Sequence, residues 1–338
     1  MHGSHLLARC GRERLAPIWS SIMKHDRPQD SNATAVAYLL FGITSGLGLD
    51  IVAKWLLASY SLPQFVFLRS VFGLLIFLMI AKPMGGLGQL ATKRWRWHLL
   101  RTLLASGAMF GFFYALSQIP LVSALTLAFT APLMVTALAA VFLSEHIGWR
   151  RWLAVFIGFA GVLIVMRPGS DLVTPAALVV IAAAFFYACL AITARRLADT
   201  ESSFALSVYV IIGPLLISGS LLSQDWRPPS AGDWWLFALA GLCSAGAWIG
   251  IVGGYRRASP ALLAPLEYTP LIGAAIAGYL IWGEVPDRWV IIGGLVIICS
   301  GLFVVYRDLG AVLSGRYLRG FTAGGAAALA RRMNRKKR

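Results

Sequence analysis

The apolar residues of this chain fall in ten long runs separated by short polar punctuation. The runs cover about Ala35–Leu57, Gln64–Ile80, Trp97–Leu116, Leu121–Leu143, Trp152–Met166, Pro175–Thr193, Phe204–Leu222, Trp234–Gly254, Ala261–Trp282 and Val290–Tyr306. A membrane-crossing helix needs roughly 20 predominantly apolar residues at about 1.5 Å rise each. The strands of a membrane barrel would alternate apolar and polar positions, and these runs do not. The pattern predicts an all-α membrane protein of ten transmembrane helices. Residues 1–33, ahead of the first run, are mostly polar and lack the apolar core and small-residue cleavage site of a signal peptide. Helix 1 is therefore expected to be the first inserted segment.

The pattern is written twice. Pro120–Glu145, PLVSALTLAFTAPLMVTALAAVFLSE, returns in variant form as Pro260–Glu284, PALLAPLEYTPLIGAAIAGYLIWGE. Pro270 follows Pro132 by 138 positions, Glu284 follows Glu145 by 139, and Gly107 and Gly111 recur 139 positions on as Gly246 and Gly250. A period this long marks a duplicated half rather than a solenoid of short repeats. Each half carries five spans, and because five is odd the second half enters the membrane the other way up. The expected architecture is a 5+5 inverted-repeat bundle, the plan that places a transporter's substrate near the midplane between the halves. The predicted organisation is a cytoplasmic tail (1–33), a first unit (34–167), an outer junction at Arg167–Thr174, a second unit (175–307) and a basic cytoplasmic tail (308–338).

Composition agrees with membrane residence. The 338 residues are 58% hydrophobic and 13% charged, with a mean hydropathy of +0.73; a soluble domain is about half apolar and a quarter charged. The placement of charge sets the orientation. With the N-terminus inside, the inner segments hold 24 Lys and Arg. These are five in the N-terminal tail, Lys82, Lys93, Arg94 and Arg96, the pairs Arg150–Arg151, Arg195–Arg196 and Arg256–Arg257, and nine from Arg307 onward. The outer loops hold three, Arg167, Arg227 and Arg288. This asymmetry predicts both termini on the cytoplasmic side of a bacterial-type inner membrane. It also accounts for the net charge of +16 without a nucleic-acid partner, since the tail Arg331–Arg338 suits a solvated end near anionic lipid. Cys10, Cys189, Cys243 and Cys299 show neither metal-ligand nor redox spacing, so no metal and no cofactor is expected. Gly85, Gly86 and Gly88 form a loop with no strand before it, which argues against a phosphate-binding loop.

Leu100–Trp152 and Ala264–Trp289, with the motifs LTLAFTAPL, APLEYTPL and a glutamate ending each of the two repeated spans, resemble the EamA-type carriers of the drug/metabolite transporter superfamily. The resemblance runs over about 35–167 and 175–307 as two EamA units and leaves out both tails. It implies a central cavity lined mainly by helices 1, 3, 4, 6, 8 and 9, alternating access, and a small organic substrate. The resemblance is nearest to S-adenosylmethionine and riboflavin uptake carriers. Export of amino acids or drugs on the same fold is the alternative.

Particular residues carry the chemistry. Gly107 with Gly111, Gly246 with Gly250 and Gly254, and Gly42 with Gly46 place small residues one turn apart, which predicts close helix approach and surfaces able to rock past one another. Pro132, Pro265 and Pro270 each remove one backbone donor, leaving the carbonyls of Ala128, Ala261 and Leu266 free and bending helices 4 and 9 beside the cavity. Tyr38, Tyr114, Tyr187, Trp248 and Tyr268 offer rings to a flat or cationic ligand, or else simple packing. A charge at membrane depth costs about 2.5–3.5 kcal/mol, so it normally faces protein or water. Asp50 and Lys54 stand four apart, where they are expected to pair or to gate. Arg69 is expected to snorkel outward, to pair with Asp50 or to meet substrate, and Arg101 to anchor at the membrane interface. Glu145 and Glu284 are expected to bind helix ends and loop cations.

Glu267 stands out among these. It lies seven residues past Pro260, about 10 Å into helix 9, between Pro265 and Pro270 and with no charged neighbour on its own helix. By the Pro132–Pro270 offset its counterpart is Phe129. It is expected to bind a cationic part of the substrate, or a coupling proton; the alternative is a buried pair with Arg69 or Lys54, or an acid bonded to a backbone carbonyl. An intramembrane enzyme would need a poised acid pair or histidine constellation, and His2, His5, His25, His98 and His146 all lie off the span interiors. Oligomeric state is open at this level.

Overall fold

A computed structural model describes residues 30–81, 86–142, 148–167, 174–197, 200–222, 225–255, 257–258 and 260–313. Glu145, most of the junction and the tail residues 1–29 and 314–338 lie outside the described residues. Among the described residues ten rods follow in order: α1 (Asp30–Leu56), α2 (Leu62–Met79), α3 (Trp95–Gln118), the pair α4a (Leu121–Ala128) and α4b (Ala131–Phe142), α5 (Trp149–Met166), α6 (Pro175–Leu197), α7 (Ser203–Leu221), α8 (Asp233–Tyr255), the pieces α9a (Pro260–Leu263) and α9b (Thr269–Trp282), and α10 (Arg288–Leu313). Among the described residues eight spans are long and apolar enough to cross a membrane unaided, taking α4a and α4b as one; Arg288–Val304 is shorter, and the ninth crosses in pieces. No strand occurs among the described residues. Local signals set several boundaries. Pro63, Pro175 and Pro270 sit in first turns, where a backbone N–H has no helical partner to lose. Ser202 caps α7 by accepting from the Ala205 N–H at 3.0 Å. Gly283, at φ 68°, ends α9b in the left-handed region open to glycine.

The packing has the symmetry the repeat demands. Helix α1 packs on α8 as α6 packs on α3; α2 packs on α8 as α7 packs on α3; α4b packs on α6 as α9b packs on α1. The pairs α2–α7 and α5–α10 are their own counterparts, as are spans 4 and 9 taken whole, which meet through α4a and α9b, and these pairs therefore lie along the pseudo-two-fold. The shared core draws on both halves, with Phe65, Phe113, Leu116, Leu121, Leu127, Phe237, Ala274 and Ile297 fully or almost fully buried.

Glycine makes the α1–α8 seam. A methyl at Gly250 would fall on the Gly42 backbone and stand 2.6 Å from the Tyr38 carbonyl, and one at Gly42 would stand 2.6 Å from the Ile251 nitrogen. The related α3–α6 seam is backbone against side chain: Gly107 faces the Phe186 ring and Gly111 the Ala183 methyl. Gly246 and Gly254 extend the first seam against Ser45 and against Ala35 and Leu39.

Polar ties close the two ends of the bundle. At the end bearing the α1–α2 turn, Gln64 and Arg227 exchange backbone-to-side-chain bonds at 2.6 and 3.0 Å, and the Tyr60 hydroxyl donates to Asp233 at 2.6 Å. That bond holds the Tyr60 phenol above its ordinary range. At the opposite end Glu201 accepts from Thr92 at 2.8 Å and lies 3.2 Å from the buried His98. Arg101 is buried, contrary to the expected interfacial anchor, and donates to the carbonyls of Leu190 and Leu206 and to Thr193. A guanidinium with five donors can tie three chain segments at once, and here that outweighs the pull of water.

Candidate functional site: a charged cavity between two broken spans

Spans 4 and 9 break at equivalent places. The chain leaves α4a at Phe129–Thr130 and restarts as α4b, with Pro132 in the new first turn. In the other half Ala264–Tyr268 winds as a 3₁₀ segment, with Pro265 in its first turn, before α9b begins at Thr269–Pro270. The same residue repairs each break. Thr130 donates through both its hydroxyl, at 2.8 Å, and its backbone N–H, at 3.1 Å, to the Leu127 carbonyl. Thr269 does so to the Leu266 carbonyl, the hydroxyl at 2.7 Å. The expectation of a free Leu266 carbonyl is therefore corrected: the threonine three residues on takes it. The threonines are 139 apart and the prolines 138, so the one-residue slip falls between threonine and proline. The structural counterpart of Glu267 is then Ala128 rather than Phe129, and Phe129 instead matches Tyr268, on whose ring it packs at 5.1 Å.

Between these breaks lies a cavity of about 530 Å³. Its wall takes Gly42, Gly46, Leu47 and Asp50 from α1, Met109, Phe112 and Phe113 from α3, Ala128, Phe129 and Pro132 from span 4, Ala183 and Tyr187 from α6, Trp248 from α8, and Glu267 and Pro270 from span 9. Helix α2 adds Arg69 and α7 adds Val210, which the helix set implied by the resemblance did not include. The lining is apolar apart from a few polar groups, the usual composition of a small-molecule site.

Among the described residues three charged side chains line this wall: Asp50, Arg69 and Glu267. Arg69 is 8% exposed and does not snorkel. One terminal nitrogen donates to Ser244 at 2.6 Å, the other to the Met109 sulfur at 2.8 Å, and the guanidinium stands 5.5 Å over the Phe113 ring. Its Nε has no partner among the described residues. Asp50 lies near enough to feel the Arg69 charge, yet the two do not close into an ion pair. Nor does Asp50 pair with Lys54 as expected. Lys54 turns to the end of the bundle, donating to Glu284 at 2.5 Å and to the Ile119 carbonyl at 2.8 Å, under Trp282. Glu284 in turn accepts from the Leu121 N–H at 2.9 Å, so a helix start and a cation share one carboxylate. Lys54 is a tie between α1, the α3–α4 turn and span 9, away from the cavity wall.

Among the described residues no Lys or Arg forms an ion pair with Glu267, which sets aside the pairings with Arg69 or Lys54. The Tyr255 phenol lies near its carboxylate, and Tyr187 and Tyr268 stand near enough to sense its charge. Tyr187 and Trp248 present rings to the cavity; Tyr268 sits behind the wall against Phe129. Tyr114 is corrected: it is 42% exposed and off the cavity wall, because its neighbours Phe112 and Phe113 take the inward face of α3. Tyr38 lies under the Arg257 guanidinium, 4.1 Å from the ring, also outside the cavity. The residues that sequence reasoning missed are Tyr255, Ser244 and Met109. Tyr255 precedes Arg256 and so looks like an interfacial aromatic, and neither of the others carries any signal of its own. No group of three or more metal-ligating side chains occurs among the described residues.

The sequence profile of the EamA-like transporter family matches residues 31–167 and again 174–307. An S-adenosylmethionine uptake transporter of Rickettsia felis is 29% identical over 278 residues, covering 81% of this chain and 93% of that one. A riboflavin transporter of Vibrio cholerae is 28% identical, covering 78% and 91%, and a pseudopaline exporter of Pseudomonas aeruginosa is 27% identical, covering 72% and 86%. A crystal structure superposes with a TM-score of 0.57 at 19% identity, covering 80% of this chain and 97% of that one, a likeness of fold alone.

Proposed function

Since the chain belongs to the EamA-like transporter family, we propose that it carries a small organic metabolite across the inner membrane by alternating access, with the central cavity as its binding site. The observation that carries this reading is the cavity itself: it lies between two broken spans and, among the described residues, holds three charges in an otherwise apolar wall. Intramembrane charge of this kind faces a substrate or ion path far more often than lipid. The substrate is S-adenosylmethionine-like or riboflavin-like, in keeping with the S-adenosylmethionine uptake transporter and the riboflavin transporter among the relatives, and Glu267 binds its cationic part or a coupling proton. The two units, 34–167 and 175–307, rock about the glycine seams, with both termini in the cytoplasm. Export of an amino-acid-like compound is the second reading, favoured by the pseudopaline exporter among the relatives.

Purified protein in proteoliposomes tests transport directly: accumulation of a labelled metabolite against empty vesicles supports the reading, and binding without any flux points to a receptor instead. Gly250→Leu should insert but lose at least tenfold in transport rate, because the side chain would displace the Gly42 backbone; full transport by that variant removes the rocking mechanism. Orientation is read in a cysteine-free background with a membrane-impermeant label on intact cells. Ser170→Cys should react and Ser314→Cys should not; the reverse overturns the topology.

A further inference from the structure

The charges of the cavity are arranged on two levels. Asp50 is six residues from the end of α1 and Arg69 seven from the start of α2, so both lie about 9–10 Å below that end of the bundle. Glu267 lies seven residues from Pro260 at the opposite end, about 10 Å in. In an apolar layer about 30 Å thick the two levels are then roughly 10 Å apart, and one cavity reaches both.

At the first level an acid and a base face the same space without closing on each other. Arg69 is held by Ser244 and Met109, neither of which carries a neutralising charge, and its Nε is left without a partner among the described residues. A buried guanidinium hydrogen-bonded only by neutral groups strongly favours an incoming carboxylate, which can take two of its N–H donors together. The neighbouring Asp50 offers the matching place for an ammonium. A carboxylate and an ammonium fixed side by side are the head of an α-amino acid. At the second level Glu267 has no cationic partner among the described residues, and Tyr187 and Trp248 supply ring faces on the same wall. Ring faces and a lone carboxylate together favour a second positive charge. Among the described lining residues the three charges sum to −1, complementary to a substrate of net charge +1.

We infer that the cavity takes a substrate with an α-amino-acid head and a separate, distal cation, the head bridging Asp50 and Arg69 and the cation resting beside Glu267 among Tyr187 and Trp248. The inference rests on the transporter reading and narrows it: a neutral flavin would leave Glu267 without a cation and Asp50 and Arg69 with only each other.

Uptake or counterflow in proteoliposomes with two matched sets of compounds tests it. One set is S-adenosylmethionine, its uncharged thioether S-adenosylhomocysteine and its decarboxylated form; the other is L-arginine, L-citrulline and agmatine. In at least one set the first member should move at least tenfold faster than both analogues, which lack the distal cation or the carboxylate. Glu267→Gln should flatten the difference between cationic and neutral members while keeping the preference for a carboxylate. Equal rates for charged and uncharged members in both sets, or transport of riboflavin alone, overturns the inference and leaves the transporter reading in place. No flux of any compound, riboflavin included, overturns both. The wild-type comparison decides the matter even where a variant at buried Arg69 fails to fold.

Discussion

Spans 4 and 9 occupy equivalent places in the two halves and break in the same way, yet only one carries an acid at its break. Each break puts a threonine hydroxyl and N–H on the carbonyl three residues back, and each restarts on a proline. The aromatic pair Phe129–Tyr268 meets across the pseudo-two-fold. At the next position back the halves part: Ala128 in one, Glu267 in the other, both on the cavity wall. What the duplication keeps is therefore the break, which is a structural solution to crossing the membrane beside a wet space. What it does not keep is the charge, and a charge at this depth that the fold does not require is best explained by what the cavity binds.

The comparison can be broken by moving the acid. In the double variant Glu267→Ala, Ala128→Glu the carboxylate still faces the cavity, so the insertion cost of a lipid-facing charge is avoided. Transport should nevertheless fall at least tenfold, because Tyr255 and Tyr187 stand near the carboxylate at the span 9 position. Recovery of wild-type transport in the swap would show the two sites to be interchangeable. The shared break is tested more gently. Thr130→Val and Thr269→Val each remove a hydroxyl donor from a carbonyl that keeps its backbone bond, so each should lower unfolding stability by about 1 kcal/mol, and by similar amounts. A large loss in one and none in the other would mean that the breaks are not equivalent. The smallest effect is expected from Tyr255→Phe, which removes one phenol from reach of Glu267 and should change apparent substrate affinity about threefold with expression unchanged; saturation curves measured beside wild type decide it.

Much of this was legible in the chain itself. Run length and the 139-residue period foretold ten spans in two inverted halves, and the glycine spacings fell on the α1–α8 and α3–α6 seams. The prolines located both breaks, although the threonine repair escaped notice because a hydroxyl three residues on is a local bond that no apolar pattern records. Partner choice was the least legible. Lys54 has an acid four residues back on its own helix, but Glu284, 230 positions away, gives it a carboxylate next to an open carbonyl. Arg101 looked interfacial from its place near a span end, whereas helix rotation points it into the bundle, where three acceptors meet it. Such choices are set by rotation and tertiary approach, which sequence spacing does not encode.

The central claim is that Glu267 is the acid through which the cavity recognises or couples to its cargo. Initial uptake rates of labelled S-adenosylmethionine, measured from pH 5 to 8 in proteoliposomes holding equal amounts of folded wild-type or Glu267→Gln protein, test it most directly. The account predicts at least a tenfold lower rate for the variant and a flattened pH profile. Wild-type rates with the wild-type pH profile in Glu267→Gln would contradict it and make the residue structural.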